Sequence, residues 1–466
     1  MKFEITLRVT TPDGEMEERE VITLDKGHDR HEDTGLSIEE GKALLKTLQH
    51  QIVEAQAKAF CASKSACRGC KRRLRKKGRS TIRYRTVFGD IPVASPRYYR
   101  CRCKGRRSRT FSPLTELLPD HTAPELLWLE TRWASLVSFE TAAGLLKDVL
   151  PVGESLSAET VRNHLHKAAR RMEDELAEEQ VFFIETYPRD RAAMPLPEGR
   201  ITVGIDGGYV RSRNKSQPQH FEVMVAKSMP ADRPNRYLGL VHTHDTRPKR
   251  RLHEVLKEQG LQENQPVTFL TDGGDTVRNM AQYMAPASEH LLDWFHITMR
   301  ITVMRQYVKG LSHHNPDEGQ AVDRLLRQIK GYLWNGNLHD GYRVIQDLVM
   351  DLECIETKYS SIKSLRKAAN EFEVYIRNNA SMIPNYAERR RYGERVSTGF
   401  VESAINTVVG KRFGKRQQMQ WSKPGAHLML QTRTRTLDGT LREKFEQWYP
   451  GLKDADRSAE AEPLAA

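Results

Sequence analysis

Two stretches end an apolar, β-branched run in a carboxylate followed by two glycines: "ITVGIDGGYV" at 201–210 and "FLTDGGDT" at 269–276. Asp206 and Asp272 therefore sit at the mouths of two strands. A lone strand-end aspartate usually caps a helix, and Asp275 or Thr276 fits that role for the helix that follows. Two such carboxylates at neighbouring strand ends repel each other unless a divalent cation neutralises them. Gly207, Gly208, Gly273 and Gly274 carry no Cβ, so a phosphate backbone could approach closely. A third oxygen ligand from a helix would complete the site, and Glu402 in "TGFVESAINTVV" is the preferred candidate, with Glu388 and Glu394 in "AERRRYGERV" as the others. Two Mg²⁺ ions (or Mn²⁺) about 3.5–4 Å apart can activate water or a 3′-hydroxyl and stabilise the departing oxygen of a phosphodiester.

A second chemistry lies upstream. Cys67 and Cys70 form "CRGC", and Cys101 and Cys103 form "CRC", with 30 residues between the pairs. Two β-rich runs around "FGD" fill that interval. A hairpin there brings four thiolates to its base, the tetrahedral set of a structural Zn²⁺ ribbon, with Cys61 as a spare ligand. From Arg68 to Arg85, ten of 18 residues are Lys or Arg and none is acidic. Lys71, Arg72, Arg73, Arg75, Lys76 and Lys77, interleaved with Tyr84, Tyr98 and Tyr99, read as a phosphate-contacting surface.

These groups need elements to hold them. Residues 1–60 read as a hairpin around "TPDGE" and an amphipathic helix whose Ser37 and Glu40 fit a capping box. "SFETAAGLLKDVL", "PVGESLS" and "AETVRNHLHKAARRMEDEL" read as a helix-turn-helix within 121–180. Ser157 would cap its second helix, with Thr160, Arg162, Asn163, His166 and Lys167 facing a groove. After a charged, proline-rich linker, strands are expected at 201–210, 220–229, 236–244, 266–274 and 290–297. The first three suit an antiparallel meander and the last two parallel crossovers, with the first strand central and the fourth beside it. Residues 298–395 read as helical with a loop at "SHHNPDEG", and one further helix continues through "KRFGKRQQMQW". Lys411 and Arg412 there add DNA-contacting candidates. The tail 452–466 reads as disordered.

The fold class is thus multidomain α/β, spread over 466 residues. A formal net charge of +13 and a pI near 9.4 point to a polyanionic partner. No apolar run reaches the ~18 residues a membrane span needs. A cytoplasmic protein is expected, in which clustered cysteines are reduced and bind metal.

"GIDGGYV", "LTDGGD", "LLDWFHITMR" and "VESAINTVVGKRFGKRQQMQW" together resemble the DDE transposases of bacterial insertion sequences, specifically the ISKra family, with a more distant likeness to Mutator-type transposases. The resemblance covers nearly the whole chain. It implies an RNase H-like core at 200–297 and 396–445, interrupted by an all-helical insertion at 298–395. The zinc-ribbon-like element (61–115) and the helix-turn-helix precede it. It implies Asp206, Asp272 and Glu402 as the catalytic triad and places Asp293 and His296 of "DWFH" near the active site. Without it, His296 reads as a core histidine. The implied partners are double-stranded DNA, as element ends and target, and further copies of the chain on that DNA. The alternatives are a domesticated DNA-binding regulator without catalysis, or a structure-specific RNase H-like nuclease.

Overall fold

A computed structural model describes the chain except residues 12–13, 102, 104–109, 184–185, 198, 215–218, 282–283, 286, 415–418 and 454–466. Nearly all of the expected disordered tail therefore lies outside the described residues. The fold is mixed α/β and divides into two compact units, residues 1–169 with 439–466, and residues 170–438.

In the first unit, β1 (Lys2–Thr10) and β2 (Met16–Asp25) form the expected hairpin. Helix α1 (Ile38–Ser63) starts at Ser37, whose hydroxyl accepts from the Glu40 amide while Glu40 accepts from the Ser37 amide. β3 (Lys76–Thr86) and β4 (Gly89–Tyr99) pair antiparallel, and β5 (Thr110–Phe111) extends the sheet. Val53, Ala57 and Cys61 of α1 pack on Ile91 and Val93 of β4 and on Leu114. The short α2 (Leu114–Leu117) leads to α3 (Pro124–Leu136), α4 (Phe139–Val149) and α5 (Ala158–Glu175). Ser157 accepts from the Thr160 amide and caps α5 as expected. The connection between α4 and α5 is an eight-residue loop, longer than a three- or four-residue helix-turn-helix turn. Its Gly153 lies against the Asp90 carboxylate of the "FGD" turn, leaving no room for a Cβ, and Ser155 donates to that carboxylate. The tip of the hairpin is thus seated on the helical pair.

The second unit begins with the end of α5 and α6 (Pro188–Ala192). Its sheet contains β6 (Ile201–Arg211), β7 (His220–Pro230), β8 (Arg236–Leu240), β9 (Val267–Thr271) and β10 (Ser288–Leu292). The order is β10-β9-β6-β7-β8. β6, β7 and β8 run antiparallel, and β9 and β10 run parallel to β6. The alternation of β6 decides what covers each face. Ile201, Val203 and Ile205 join Leu252 and Leu256 of α7 (Pro248–Glu258) and Val277 and Met280 of α8 (Asp275–Ala281) in one core. Each such fully buried aliphatic side chain contributes about 1.5–3 kcal/mol. Gly204 and Gly208 point the other way, under the helix that carries Glu402.

Helices α9 (Trp294–His314), α10 (Pro316–Trp334), α11 (Leu338–Cys354), α12 (Ile362–Asn378) and α13 (Tyr386–Arg391) share a separate core. Ile297, Ile301, Met304, Val308 and Leu311 recur every three or four residues along α9, the stripe a packed helix needs. The loop expected at "SHHNPDEG" is instead a sharp corner. Asn315 ends α9 and precedes α10, whose first position is Pro316, where a missing N–H costs nothing.

Two further expectations change. The fifth strand stops at Leu292, because Asp293 caps α9 by accepting from the Phe295 amide. The helix expected from 397 is broken into α14 (Gly399–Ile405), a π-helical turn (Asn406–Gly410) and α15 (Lys411–Phe413). Buried Arg433 of α16 (Lys423–Leu437) donates to the carbonyls of Val408 and Thr407 in that turn. α17 (Leu441–Trp448) returns to the first unit, where Arg442 pairs with Glu125 at 2.8 Å.

Candidate functional site

The parallel register of the second sheet aligns three aspartates. Gly204 pairs with Leu270, so two residues further Asp206 stands level with Asp272 on the same face. Leu292 pairs with Thr271, so Asp293 follows at that level just beyond β10. The three carboxylates have different surroundings. Asp206 is half-buried, and one oxygen accepts from the Gly207 amide at 2.7 Å. Burial raises its pKa; the Gly207 amide and His296 oppose the rise, and the charges of Asp272 and Asp293 add to it. Asp272 is half-buried and accepts from the Gly274 amide at 2.9 Å. Asp293 is fully buried. It accepts from the amides of Phe295 and Thr398, at 2.9 and 2.8 Å, and from the Thr398 hydroxyl. It also bonds His296 Nδ1 at 2.8 Å.

Asp293 therefore joins two elements. Through Thr398, the residue before α14, it fixes the entry of the helix that bears Glu402. Through His296 it orients an imidazole towards the aspartate row. Burial alone would lower the pKa of His296, but the hydrogen bond and charge of Asp293, together with Asp206 and Asp272, raise it. Asp293 and His296 thus lie beside the two DGG aspartates.

α14 lies on the Asp206 face of β6. A Cβ at Gly204 would fall 2.1 Å from Val401, and one at Gly208 would fall 3.2 Å from Ile405. Glu402 follows Val401 on this helix, exposed. Among the described residues, Asp206, Asp272 and Glu402 do not form a set with ligand atoms within 4.8 Å of one another. Glu394, one alternative, is engaged by Arg200 and Arg389 at 3.1 and 2.8 Å. Glu388 is exposed on α13.

The glycines mostly serve the protein rather than a ligand. Gly208 admits Ile405, Gly207 admits the Glu222 carboxylate, and Gly273 has φ +85° with Asn379 against it. Gly274 alone of the four has nothing but the Asp272 carboxylate beside it. The idea that all four clear space for phosphate is thus corrected.

In the first unit the cysteine pairs meet at the base of the β3–β4 hairpin. Cys67 and Cys103 sulfurs are 3.6 Å apart, those of Cys70 and Cys101 3.4 Å, and all four lie within 4.8 Å. A zinc ion with Zn–S bonds of about 2.3 Å needs sulfurs about 3.8 Å apart, so the set fits it. Amides of Cys70 and Gly69 point at Cys67 Sγ and bring that thiol down to about 6. Cys61, the spare ligand, is instead buried against β4.

Lys71, Arg72, Arg73, Arg75, Lys76 and Lys77 are all exposed. Asn163 and Lys167 are exposed on α5, with Lys167 paired to Asp120. Thr160, Arg162 and His166 are half-buried. Thr160 bonds Ser157, and Arg162 pairs with Glu159. Lys411 is exposed, but Arg412 is fully buried, stacked over Trp421 and bonded to Met419. Burial brings its pKa down to about 10. Arg412 therefore faces the core and is withdrawn as a DNA contact.

Glu173, Asp245 and His427 also lie within ligand distance of one another. Arg251 sits among them, bonding both carboxylates through pairs of nitrogens at 2.7–3.1 Å. The guanidinium already supplies the cation there.

Sequence reading missed Thr398, Tyr375 and Arg300. Thr398 had a local signal, a Thr directly before a short helix with an acid in its first turn. Tyr375, whose hydroxyl donates to the Asp272 carbonyl at 2.9 Å, had none, because the helical region brings it back from a distance of 103 residues.

Comparison with protein-family models and with curated proteins returns no match. Among the described residues no helix is long and apolar enough to cross a membrane.

Proposed function

We propose that the chain is a DDE-type transposase that binds the ends of an insertion sequence and catalyses metal-dependent DNA cleavage and strand transfer. The observation that carries this reading is the pair Asp206 and Asp272, level on adjacent parallel strands and on one face, beneath the helix that holds Glu402. A central strand flanked by an antiparallel meander and two parallel strands is compatible with an RNase H-like core, with 298–395 as its helical insertion. Asp206, Asp272 and Glu402 are the residues that would hold two Mg²⁺ or Mn²⁺ ions. The donor set fits, since two all-oxygen ligands crowd each other and the charge of Asp272 helps raise the Asp206 pKa. When bound, such ions supply an activated water or 3′-hydroxyl and stabilise the leaving oxygen.

The protein's own part is positioning. Asp293 anchors the start of α14 and holds His296 towards the aspartates. The cysteine ribbon, with Zn²⁺, presents basic side chains to DNA phosphates, and α5 offers Asn163 to base edges. Copies of the chain would assemble on the two element ends, in the cytoplasm where the DNA lies.

The test uses purified full-length chain and duplexes cut from the DNA flanking its gene. In Mg²⁺ or Mn²⁺, one flank should be cut at a fixed position, and Asp206→Asn should bind that flank without cutting. Specific binding with no cleavage by the wild type would favour the non-catalytic regulator.

A further inference from the structure

The carboxylate edge holds a cation to which the chain gives no counter-charge by direct contact. Arg300 follows His296 by four residues on α9, so both side chains share one face of the helix, about 6 Å apart along its axis. The guanidinium carbon of Arg300 stands 4.1 Å from the centre of the Tyr375 ring. The Tyr375 hydroxyl in turn donates to the Asp272 carbonyl. Burial pushes the Tyr375 pKa far up, so this hydroxyl keeps its proton and the bond. Arg300 is thereby tied to the end of β9.

Two arginines of this unit, Arg251 and Arg389, are neutralised in place. Arg251 binds Glu173 and Asp245, and Arg389 lies between Glu289 and Glu394. Arg300 is half-buried, its Nε is buried without a hydrogen-bond partner, and no carboxylate pairs with it among the described residues.

We propose that Arg300 is a phosphate-binding residue, taking the phosphodiester that flanks the one held at Asp206 and Asp272. This rests on reading the aspartate edge as a site of phosphodiester chemistry. The planar fork of Arg suits two phosphate oxygens, and stacking on Tyr375 fixes its plane in advance. The one-turn offset from His296 places it beside the reacting position rather than at it.

The experiment compares the full-length wild type with Arg300→Met, which keeps the aliphatic stem against the ring, and Arg300→Lys. Binding is measured in Ca²⁺ to a duplex from the gene's flank, unmodified or carrying one neutral methylphosphonate at successive positions. A thermal melt confirms folding. Arg300→Met should bind the unmodified duplex about tenfold more weakly, the size of a missing charged hydrogen bond. At one position, neutralisation should weaken the wild type by a similar factor and leave Arg300→Met unchanged. Arg300→Lys should fall between. Unaltered binding by Arg300→Met, or the same methylphosphonate profile in both proteins, overturns the assignment. If Arg300 merely balances Asp272 and Asp293, Arg300→Met lowers the melting temperature and leaves the profile intact, which also overturns it. Should the profile hold while wild type in Mg²⁺ never cuts, the phosphate site stands and the transposase reading falls. Cutting with no Arg300-dependent position gives the reverse.

Discussion

The cysteine ribbon and the aspartate edge both gather ligand atoms from distant sequence, yet they differ in how far assembly goes. Four sulfurs lie within 4.8 Å of one another, at the two ends of a single hairpin. The aspartates stand level on neighbouring strands, while Glu402 stays exposed on its helix. The difference follows from charge. Thiols tolerate close packing, and the amides of Cys70 and Gly69 face the Cys67 sulfur. Ionised carboxylates repel one another. A closed site suits structure, and an open one leaves a position for substrate.

The ribbon should show the largest effect when broken. Structural zinc contributes about 10–16 kcal/mol of folding energy in small zinc domains. Cys67→Ser/Cys101→Ser should lose stoichiometric zinc and unfold the β3–β4 hairpin, with the second unit still folded. Elemental analysis and hydrogen exchange resolved by unit measure both. Zinc-free wild type with a protected hairpin would refute a metal-held ribbon.

At the aspartate edge the loss should fall on rate. Asp206→Ala, Asp272→Ala and Glu402→Ala should each cut cleavage by at least about a thousandfold, roughly 4 kcal/mol, with end binding nearly intact. Single-turnover cleavage and binding on the same duplex separate the two. Glu402→Ala with wild-type cleavage would move the third ligand elsewhere, with Glu388 ahead of Glu394 because Glu394 already carries two arginines.

The two regions were also unequally legible in sequence. The ribbon is local: cysteine pairs bracket a β-β run, so spacing alone predicts where the sulfurs meet. The sheet order could be read from connection lengths, and the DGG runs marked strand ends. The break between β10 and α9 was missed because "HLLDWFHI" has no Gly or Pro to mark a junction, and only the capping of Asp293 decides it. The burial of Arg412 was equally hidden. A basic run says nothing about which side chain turns inward, and here a π-helical turn, which has no sequence signature, decides it.

Asp293 offers a finer test of the aspartate edge. Asp293→Asn keeps the shape and removes the charge bonded to His296, costing about 1.5–3 kcal/mol. The pKa of His296 is raised above its ordinary 6.5 in the folded chain. The stabilisation from this pair is therefore fully present below pH about 6.5 and is lost as pH rises through the folded value. Melting curves without added divalent cation should show the gap between wild type and Asp293→Asn shrinking as the pH rises above about 6.5. A constant gap would mean that Asp293 acts only as the cap of α9 and the anchor of Thr398.

The smallest effects should separate charge from sequence reading within the first unit. Lys71, Arg72 and Arg73 are exposed beside the sulfurs and offer charge without variety. Neutralising all three should weaken cognate and scrambled duplex alike. It should also flatten the log–log salt slope by about 0.9 for each DNA phosphate that no longer meets a cation. Asn163 differs. It is the uncharged, exposed member of the α5 candidates, and an Asn amide can pair with adenine in a major groove. Asn163→Ala should cost about 1–3 kcal/mol on the cognate end and nothing on the scrambled duplex, with the salt slope unchanged. The eight-residue α4–α5 loop, braced by Asp90, makes this a demanding test, because it departs from the short turn of a helix-turn-helix. If Asn163→Ala weakens both duplexes equally, α5 is the scaffold on which the ribbon's turn is seated, and sequence reading belongs to the ribbon itself.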